Sequence, residues 1–236
     1  PIYGSWQAAV PAADVSQWAD GALDIKASAQ DASGNPVAIG TVVDVDLAPV
    51  AITISSVTDD NVLNAAEKGQ DLVLSGTSSH VEAGQTVTVT LNGVDYTTTV
   101  EANGSWSVTV PSADVGAITD GNYTISAAVS DKAGNPASSD RDVLVDTTVP
   151  QLTIHTVSDD DVINSAEHVQ ALIVTGSVTG AAAGDVVTGT INNKDYTATL
   201  DASGKWNVGV PAADVSALTA GDHTITAALT DKAGNS

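Results

Sequence analysis

The sequence predicts an all-β chain of tandem β-sandwich domains in a linear array, each domain about 100 residues long. Tryptophan recurs at Trp6, Trp106 and Trp206, and the residues around each copy repeat with no insertion or deletion. Apolar residues between these positions alternate with polar ones, as they do in strands with one buried face. Because a unit of this length can bury its own core, each complete copy is expected to fold independently.

The complete copy spans residues 47–146, and its strands can be predicted in order along the chain. Segments rich in Val, Ile and Thr are separated by turn-forming pairs such as Asn92-Gly93. We expect seven strands, at residues 50–55, 71–76, 85–91, 96–100, 106–110, 122–130 and 138–145. Seven short strands without a helix of three turns are typical of an immunoglobulin-like sandwich.

The chain does not start or stop at the repeat boundaries. Repeat 1 (residues 1–46) contains only the last three strands of a copy. Repeat 2 (residues 47–146) is complete, and repeat 3 (residues 147–236) lacks its last strand. We expect that the natural protein contains the segments that complete both partial copies.

Composition excludes several classes of function. The chain has 29 acidic and 7 basic residues, for a formal net charge of −22, so no cationic face is available for nucleic acid or an anionic membrane. No segment is long and apolar enough for membrane insertion. The four histidines do not recur between copies, and no catalytic motif occurs. We therefore expect no enzyme activity.

Cysteine is absent from the chain, and two interpretations of this remain open. One is a cytosolic protein or a chance absence. The interpretation that we favour is a secreted protein that avoids thiols and is stabilised in another way.

Acidic loops meet at the repeat junctions in this topology, and they predict calcium sites. Loops at the end of one repeat, the linker and loops at the start of the next repeat each contribute side-chain oxygens. Clustered carboxylates repel one another unless they share a cation, and oxygen-only ligands suit Ca²⁺. The candidate ligands are Asp46, Asp59, Asp60, Glu67, Asp120, Asp131, Asn135, Asp146, Asp159, Asp160, Glu167, Asp231 and Asn235.

A purely structural interpretation of these residues remains open as well. The pattern D-x-[AS]-G-N, which begins at Asp31, Asp131 and Asp231, can be a simple turn because Asp, Gly and Asn are turn formers. The Asp-Asp pairs at Asp59 and Asp159 can cap a short helical turn, and then Glu67 and Glu167 need bind nothing. The recurrence of the acidic positions favours calcium.

Four motifs together resemble the bacterial immunoglobulin-like repeats of giant type I-secreted, non-fimbrial adhesins such as that of Salmonella. They are G-[SK]-W-x-V-x-V-P-[AS]-A-D-V, D-K-A-G-N, V-D-T-T-V-P and D-D-x-V-[IL]-N-x-A-E; they occur between residues 59 and 235, and the resemblance extends over the whole chain. The first linker departs from the pattern: it reads V-D-L-A-P-V, with its proline at Pro49, so only Asp46 is assigned as a ligand there. The resemblance implies a calcium-binding stalk on the bacterial cell surface that helps to attach the cell to host epithelium. It implies junction ligands at Asp131, Asn135, Asp146, Asp231 and Asn235, with neighbouring repeats as the partners within the chain.

Two functions are compatible with these features. In the first, the repeats form a calcium-rigidified stalk, and other parts of the protein contact the host cell. In the second, the repeats themselves recognise a host glycan or protein. Sugar recognition usually needs exposed aromatic rings, but Trp106 shares its strand face with Val108 and Val110 and is expected in the core. Tyr3 aligns with loop positions and is the one aromatic exception, so the stalk is favoured.

Overall fold

The computed structural model describes residues 4–236, and Tyr3 lies outside the described residues. The described chain consists of β-strands and three short helical turns at equivalent positions in the three repeats. The turns are α1 (Ala12–Val15), α2 (Ser112–Gly116) and α3 (Ala212–Val215). None of the helices in residues 4–236 is long and apolar enough to cross a bilayer.

Repeat 2 is a two-sheet sandwich with the predicted seven strands and one short additional strand. Its strands are β3 (Ala51–Ile54), β4 (Val62–Leu63), β5 (Leu72–Ser79), β6 (Thr86–Leu91), β7 (Val94–Thr99), β8 (Ser105–Val110), β9 (Gly121–Ser130) and β10 (Pro136–Val145); β1 and β2 belong to repeat 1. One sheet has the order β3-β5-β8, and the other has the order β4-β10-β9-β6-β7. The immunoglobulin-like sandwich is therefore confirmed.

The additional strand β4 lies inside the acidic loop that the sequence predicts as irregular. Its two residues pair in parallel with Leu144 and Val145 at the end of β10. Asp146 N–H then donates to the Leu63 carbonyl at 3.1 Å. The acidic loop is thus attached to the strand that leads into the next repeat.

The core of repeat 2 is centred on Trp106, which is 1% exposed, as the strand alternation predicts. The indole ring covers Gly76 on the neighbouring strand, where a Cβ atom would lie 2.6 Å from the ring carbon Cζ2. Gly176 and Trp206 form the same pair in repeat 3. Both indole N–H groups are buried without a hydrogen-bond partner in the described structure.

The partial repeats show which strands are needed to cover the core. Repeat 1 forms a hairpin of β1 (Gly21–Gln30) and β2 (Pro36–Val45), and Ile25 is 42% exposed where its counterpart Ile125 is fully buried. Repeat 3 consists of two three-stranded sheets, β11-β12-β15 and β14-β13-β16. Its strands are β11 (Gln151–Ile154), β12 (Leu172–Thr179), β13 (Val186–Ile191), β14 (Lys194–Thr199), β15 (Lys205–Val210) and β16 (Ile225–Leu229).

Candidate functional site: the junctions between repeats

The linker that leaves repeat 2 is held by the carboxylate of Asp120, which lies between α2 and β9. Its Oδ1 accepts from the Thr147 hydroxyl at 2.7 Å, and its Oδ2 accepts from Thr147 N–H and the Thr148 hydroxyl, both at 3.2 Å. These bonds, led by that of the Thr147 side chain, lower the pKa of Asp120. At the first junction, and within residues 4–236, Asp20 accepts only from Leu47 N–H, at 2.7 Å.

The loop after β5 and its counterpart after β12 each lie against the linker that leads into their own repeat, from the side opposite the aspartate of the preceding repeat. A Cβ atom at Gly180 would lie 3.0 Å from Cγ2 of Thr148, and Gly180 has a φ of +79°. Its counterpart His80 places Nδ1 3.1 Å from the Pro49 carbonyl oxygen. The linker is therefore packed between two loops, and glycine at position 180 permits the close approach.

At the second junction Asn235 contacts the preceding repeat directly. Its Oδ1 accepts from Ala65 N–H at 2.8 Å, and its Nδ2 donates to the main-chain oxygen of Asp146 at 2.9 Å. The same Nδ2 lies 3.1 Å from Oδ2 of Asp231. Asn235 is 3% exposed. The acidic loop of repeat 2, the linker and the D-K-A-G-N loop of repeat 3 thus meet at one side chain.

The first junction has half of this arrangement. Nδ2 of Asn135 donates to the main-chain oxygen of Asp46 at 3.1 Å and to Oδ2 of Asp131 at 2.8 Å. The counterpart of Ala65 belongs to a part of the repeat that residues 1–46 do not include. Within residues 4–236, Oδ1 of Asn135 accordingly accepts no hydrogen bond.

The D-x-[AS]-G-N loop is a turn closed by its own aspartate, as the structural interpretation predicts. Oδ1 of Asp131 accepts from Gly134 N–H at 2.7 Å and from Asn135 N–H at 2.8 Å. Burial would raise the pKa of Asp131, but the bonds from the side chain and backbone of Asn135 outweigh it and lower the pKa. The Asn35 side chain and backbone likewise lower the pKa of Asp31.

The acidic loops at 58–67 and 158–167 use several predicted ligands to shape the chain. Asn64 and Glu67 form a reciprocal capping box: Asn64 Oδ1 accepts from Glu67 N–H at 3.1 Å, and Glu67 Oε2 accepts from Asn64 N–H at 3.0 Å. Asn164 and Glu167 repeat it at 3.2 and 2.9 Å. Asp60 accepts from Val62 N–H at 2.9 Å, with its counterpart Asp160 bonded in the same way to Val162.

Asp59 and Asp159 differ from the other acidic residues of these loops. Their carboxylates make no side-chain hydrogen bond within the part of the chain that the structure describes. Asp46 and Asp146 are not free of such bonds. The carboxylate of each accepts one hydrogen bond, from the backbone N–H two residues further on, at 3.1 Å. These four residues keep carboxylate oxygens available to a cation.

The structure therefore brings only some of the predicted ligands close to one another. Across residues 4–236, no three Asp, Glu or His side chains are close enough together to hold a metal ion. At the second junction the oxygens of Asp146 and Asp231 converge on the amide nitrogen of Asn235, which is a hydrogen-bond donor. The donor atoms have the chemistry that Ca²⁺ prefers, but their present positions serve hydrogen bonds.

Sequence reasoning missed a contact that explains the aspartate of the P-[AS]-A-D-V motif. Tyr96 Oη donates to Asp114 at 3.0 Å, and Tyr196 Oη donates to Asp214 at 2.9 Å. Lys194 forms an ion pair with Asp214 at 2.7 Å. The tyrosine and the aspartate have the same separation in the sequence of both repeats, and this constant spacing could have predicted the contact. The contact fixes the short helical turn against the strand that carries the tyrosine.

The comparisons with known proteins relate the chain to bacterial immunoglobulin-like domains and to large bacterial adhesins. Residues 47–147 match the family described as bacterial Ig-like domain. A 1.5-MDa bacterial ice-binding adhesin, whose structure gives insight into host cell surface retention, is 34% identical over 98% of this chain and 75% of the matched chain, with a TM-score of 0.45. No curated protein matches the chain.

Two further solved structures come from ice-binding adhesins. A Ca²⁺-stabilized adhesin that helps an Antarctic bacterium to reach out and bind ice is 36% identical, over 88% of this chain and 55% of the matched chain, with a TM-score of 0.42. A bacterial immunoglobulin-like domain from the M. primoryensis ice-binding adhesin is 38% identical, over 41% of this chain and 96% of its own, with a TM-score of 0.33. Because these TM-scores are below 0.5, the relationship depends on sequence identity and the family match.

Proposed function

Because the chain belongs to the bacterial Ig-like domain family, we propose that it is part of the stalk of a large bacterial surface adhesin. The observation that carries the proposal is the junction, where repeats of constant length are joined by a linker whose backbone and side chains are bonded on both sides. Asp120 holds the linker from the preceding repeat, and Asn235 holds it from the following one. Such bonding favours one angle between neighbours and hence an extended array.

In this proposal the repeats place a binding region far from the cell, and other parts of the protein contact the host. The protein is secreted by a type I system, stays at the bacterial surface, contributes to virulence and catalyses no reaction. Its closeness to the Salmonella adhesin remains a prediction. The partners of each repeat are the neighbouring repeats of the same chain and calcium ions.

The alternative function, in which the repeats themselves recognise a host glycan or protein, has less support. Trp106 is buried, and Tyr96 and Tyr123 are half-buried, so repeat 2 offers no open aromatic platform. An open groove of about 540 Å³ lies over the β6, β9 and β10 surface, but small polar side chains such as Thr86, Thr88 and Ser138 line much of it. It contains neither an aromatic nor a charged residue.

Binding of the labelled chain to host epithelial cells and to a glycan array distinguishes the two functions. We expect no saturable binding to either, because the chain contributes length and not recognition. Saturable binding that is lost on substitution of an exposed side chain, such as Thr86→Ala in the groove, would contradict the stalk proposal. Ser28→Ala in the repeat 1 hairpin is the matched control, since it changes an exposed strand residue elsewhere.

We further propose that calcium stabilises the array. The support is the net charge of −22, the recurrence of oxygen ligands, and the 36% identity to an adhesin described as Ca²⁺-stabilized. All predicted ligands remain candidates. Asp59, Asp159, Asp46 and Asp146 are the ones that can bind with the least rearrangement, because they keep free carboxylate oxygens.

Thermal unfolding in chelator, in millimolar magnesium and in millimolar calcium tests the calcium proposal. Extracellular calcium modules bind at roughly 10⁻⁴–10⁻³ M, so calcium should add about 1 kcal/mol or more per site. Asp59→Asn together with Asp159→Asn should reduce the calcium-dependent shift, whereas the control Asp24→Asn in the hairpin of repeat 1 should not. Identical unfolding midpoints in all three solutions would refute the proposal.

A further inference from the structure

We infer that neighbouring repeats are joined by an asparagine bridge that does not need a metal ion. The bridge is the Asn235 side chain with its two main-chain partners in the preceding repeat and linker, Ala65 N–H and the Asp146 carbonyl. The inference deepens the proposed stalk, for which it supplies a joint, but the bonds themselves can be tested independently of any role in adhesion.

The two main-chain partners fix the orientation of the Asn235 amide. A backbone N–H can only donate, so the atom that faces Ala65 at 2.8 Å must be Oδ1. Nδ2 then faces the Asp146 carbonyl at 2.9 Å and Oδ2 of Asp231 at 3.1 Å. If the amide were rotated by half a turn, Nδ2 would face the Ala65 N–H, which is also a donor. Oδ1 would then face the Asp146 carbonyl and Oδ2 of Asp231, so that three oxygens would lie together. Asn235 therefore offers its amino group, and not its oxygen, to the point where the acidic groups converge.

A calcium ion at this point would have to replace the amino group that already occupies it. The amide hydrogens neutralise the partial charges of the Asp146 carbonyl and the Asp231 carboxylate in the way that a cation would. Since Asn235 is 3% exposed, these bonds are shielded from water and each is correspondingly costly to lose. The joint can thus form by hydrogen bonds alone, and calcium bound elsewhere in the acidic loop would add to it.

The capping box explains why the Ala65 N–H is available. Oδ1 of Asn64 already accepts from Ala66 and Glu67, at 3.0 and 3.1 Å. The N–H of Ala65 is the first of the same helical turn and has no partner within that turn. Asn235 supplies the missing acceptor from a position 170 residues away in the chain.

The same bridge recurs where the chain provides its parts. Asn135 donates to the Asp46 carbonyl in the way that Asn235 donates to that of Asp146. Asn35 is exposed, and in the described part of the chain its side chain bonds only to Asp31 of its own loop. The last residue of D-x-[AS]-G-N therefore donates to the linker carbonyl at both junctions within residues 4–236, and Asn35, which makes no such bond there, serves as the control.

Amide hydrogen exchange of Ala65 in the full chain, followed by NMR, tests the inference. In chelator the wild-type Ala65 amide should be protected, and Asn235→Ala should make its exchange about tenfold faster. Asn35→Asp should leave Ala65 unchanged. Retained amide protection of strand β15 in the same experiment would show that repeat 3 remains folded in each variant.

Asn235→Asp separates the bridge from a calcium ligand because the two side chains have the same shape. An aspartate cannot donate and would place a second carboxylate against Asp231, so the bridge predicts fast Ala65 exchange in chelator and in calcium alike. A calcium ligand predicts the reverse, since aspartate is the stronger ligand and calcium should then restore protection. Wild-type protection that appears only with calcium, or restored protection in Asn235→Asp, would overturn the inference. Binding of the chain to host cells would overturn the stalk and leave the bridge intact.

Discussion

The glycine opposite each core tryptophan is set by the space that the indole ring occupies. A Cβ atom at Gly76 would overlap the Thr53 carbonyl oxygen and approach Trp106 Cζ2 to 2.6 Å. Neither neighbour can move freely, because one is backbone in a paired strand and the other is a buried ring. The same reasoning applies to Gly176 with Thr153 and Trp206.

We expect Gly76→Ala to destabilise repeat 2 by at least about 3 kcal/mol, since it overpacks the core. Gly116→Ala is the control, because a Cβ atom there meets nothing within 4 Å, and its unfolding free energy should change by less than about 1 kcal/mol. Urea unfolding of both variants measures the difference. Equal stabilities would show that the strands can separate to admit a methyl group.

The tyrosine–aspartate contacts predict alkaline behaviour. Burial, together with the bond to Asp114, raises the pKa of Tyr96 above its ordinary value of 10.0, and burial and Asp214 do the same for Tyr196. A group with a raised pKa contributes stability that is complete below the unfolded value and is lost as the pH rises through the folded value. The contact should therefore persist to above pH 10.0 and then fail.

Ultraviolet absorbance of tyrosinate measures this titration directly. Asp114→Asn should lower the pKa of Tyr96 towards, but not to, its ordinary value, because burial remains when the negative charge is removed. Thr119→Ala, which removes a neighbour of Tyr123 instead, should leave the titration of Tyr96 unchanged. An unaltered Tyr96 titration in Asp114→Asn would contradict the assignment.

The carboxylate of the tyrosine–aspartate contact depends on pH in the opposite sense to the tyrosine. Hydrogen bonds from Lys194, followed by that from Tyr196, lower the pKa of Asp214 below 3.8. A lowered pKa contributes stability that is complete above the unfolded value and is lost as the pH falls through the folded value. The contact of Asp214 with Lys194 and Tyr196 is therefore expected to weaken only as the pH falls below 3.8.

At the scale of elements, the seven main strands follow from local patterns alone. Alternation and the Asn92-Gly93 turn depend on neighbouring residues, so the sequence locates β5 to β10 within a few residues. The helical turns α1 to α3 have four or five residues and no side-chain cap at their first residue. They are therefore too short to leave a periodic signal.

Strand β4 and the asparagine bridge could not be predicted, for a common reason. Asp and Asn surround Val62 and Leu63, and by propensity such a segment is a loop. It becomes a strand because β10 is folded beside it. Similarly, D-K-A-G-N can be identified as a turn from its residues, but its contact with Ala65 depends on the packing of one repeat on another.

The dependence of β4 on β10 can be tested by comparing equivalent positions in two repeats. Leu63 is 1% exposed and lies in β4, whereas its counterpart Ile163 is half-buried and forms no strand. Leu63→Ala should cost about 2–5 kcal/mol, and Ile163→Ala no more than about 2 kcal/mol. Hydrogen exchange of β8 and β15 reports the stability of each repeat separately. Equal losses would mean that β4 contributes little to repeat 2.

At the scale of the whole molecule, the two aspartates beside the second linker affect the shape of the array differently. Asp146 contributes mainly through its carbonyl oxygen, which remains in Asp146→Ala, and its side chain makes one bond, to Thr148 N–H. Asp120 contributes through its carboxylate, with three bonds to Thr147 and Thr148. Asp120→Ala removes all three and leaves the asparagine bridge and the packing of Gly180 against the linker.

Small-angle scattering in chelator should therefore show a shorter average maximum dimension for Asp120→Ala than for wild type, with Asp146→Ala close to wild type. If the Asp146 carboxylate is a calcium ligand, calcium should increase the maximum dimension of the wild type. It should leave that of Asp146→Ala unchanged. Both variants should keep their strand content, since neither side chain belongs to a core. Equal dimensions for all three proteins in both solutions would mean that the packing of Gly180 against the linker, together with Asn235, already fixes the angle between repeats.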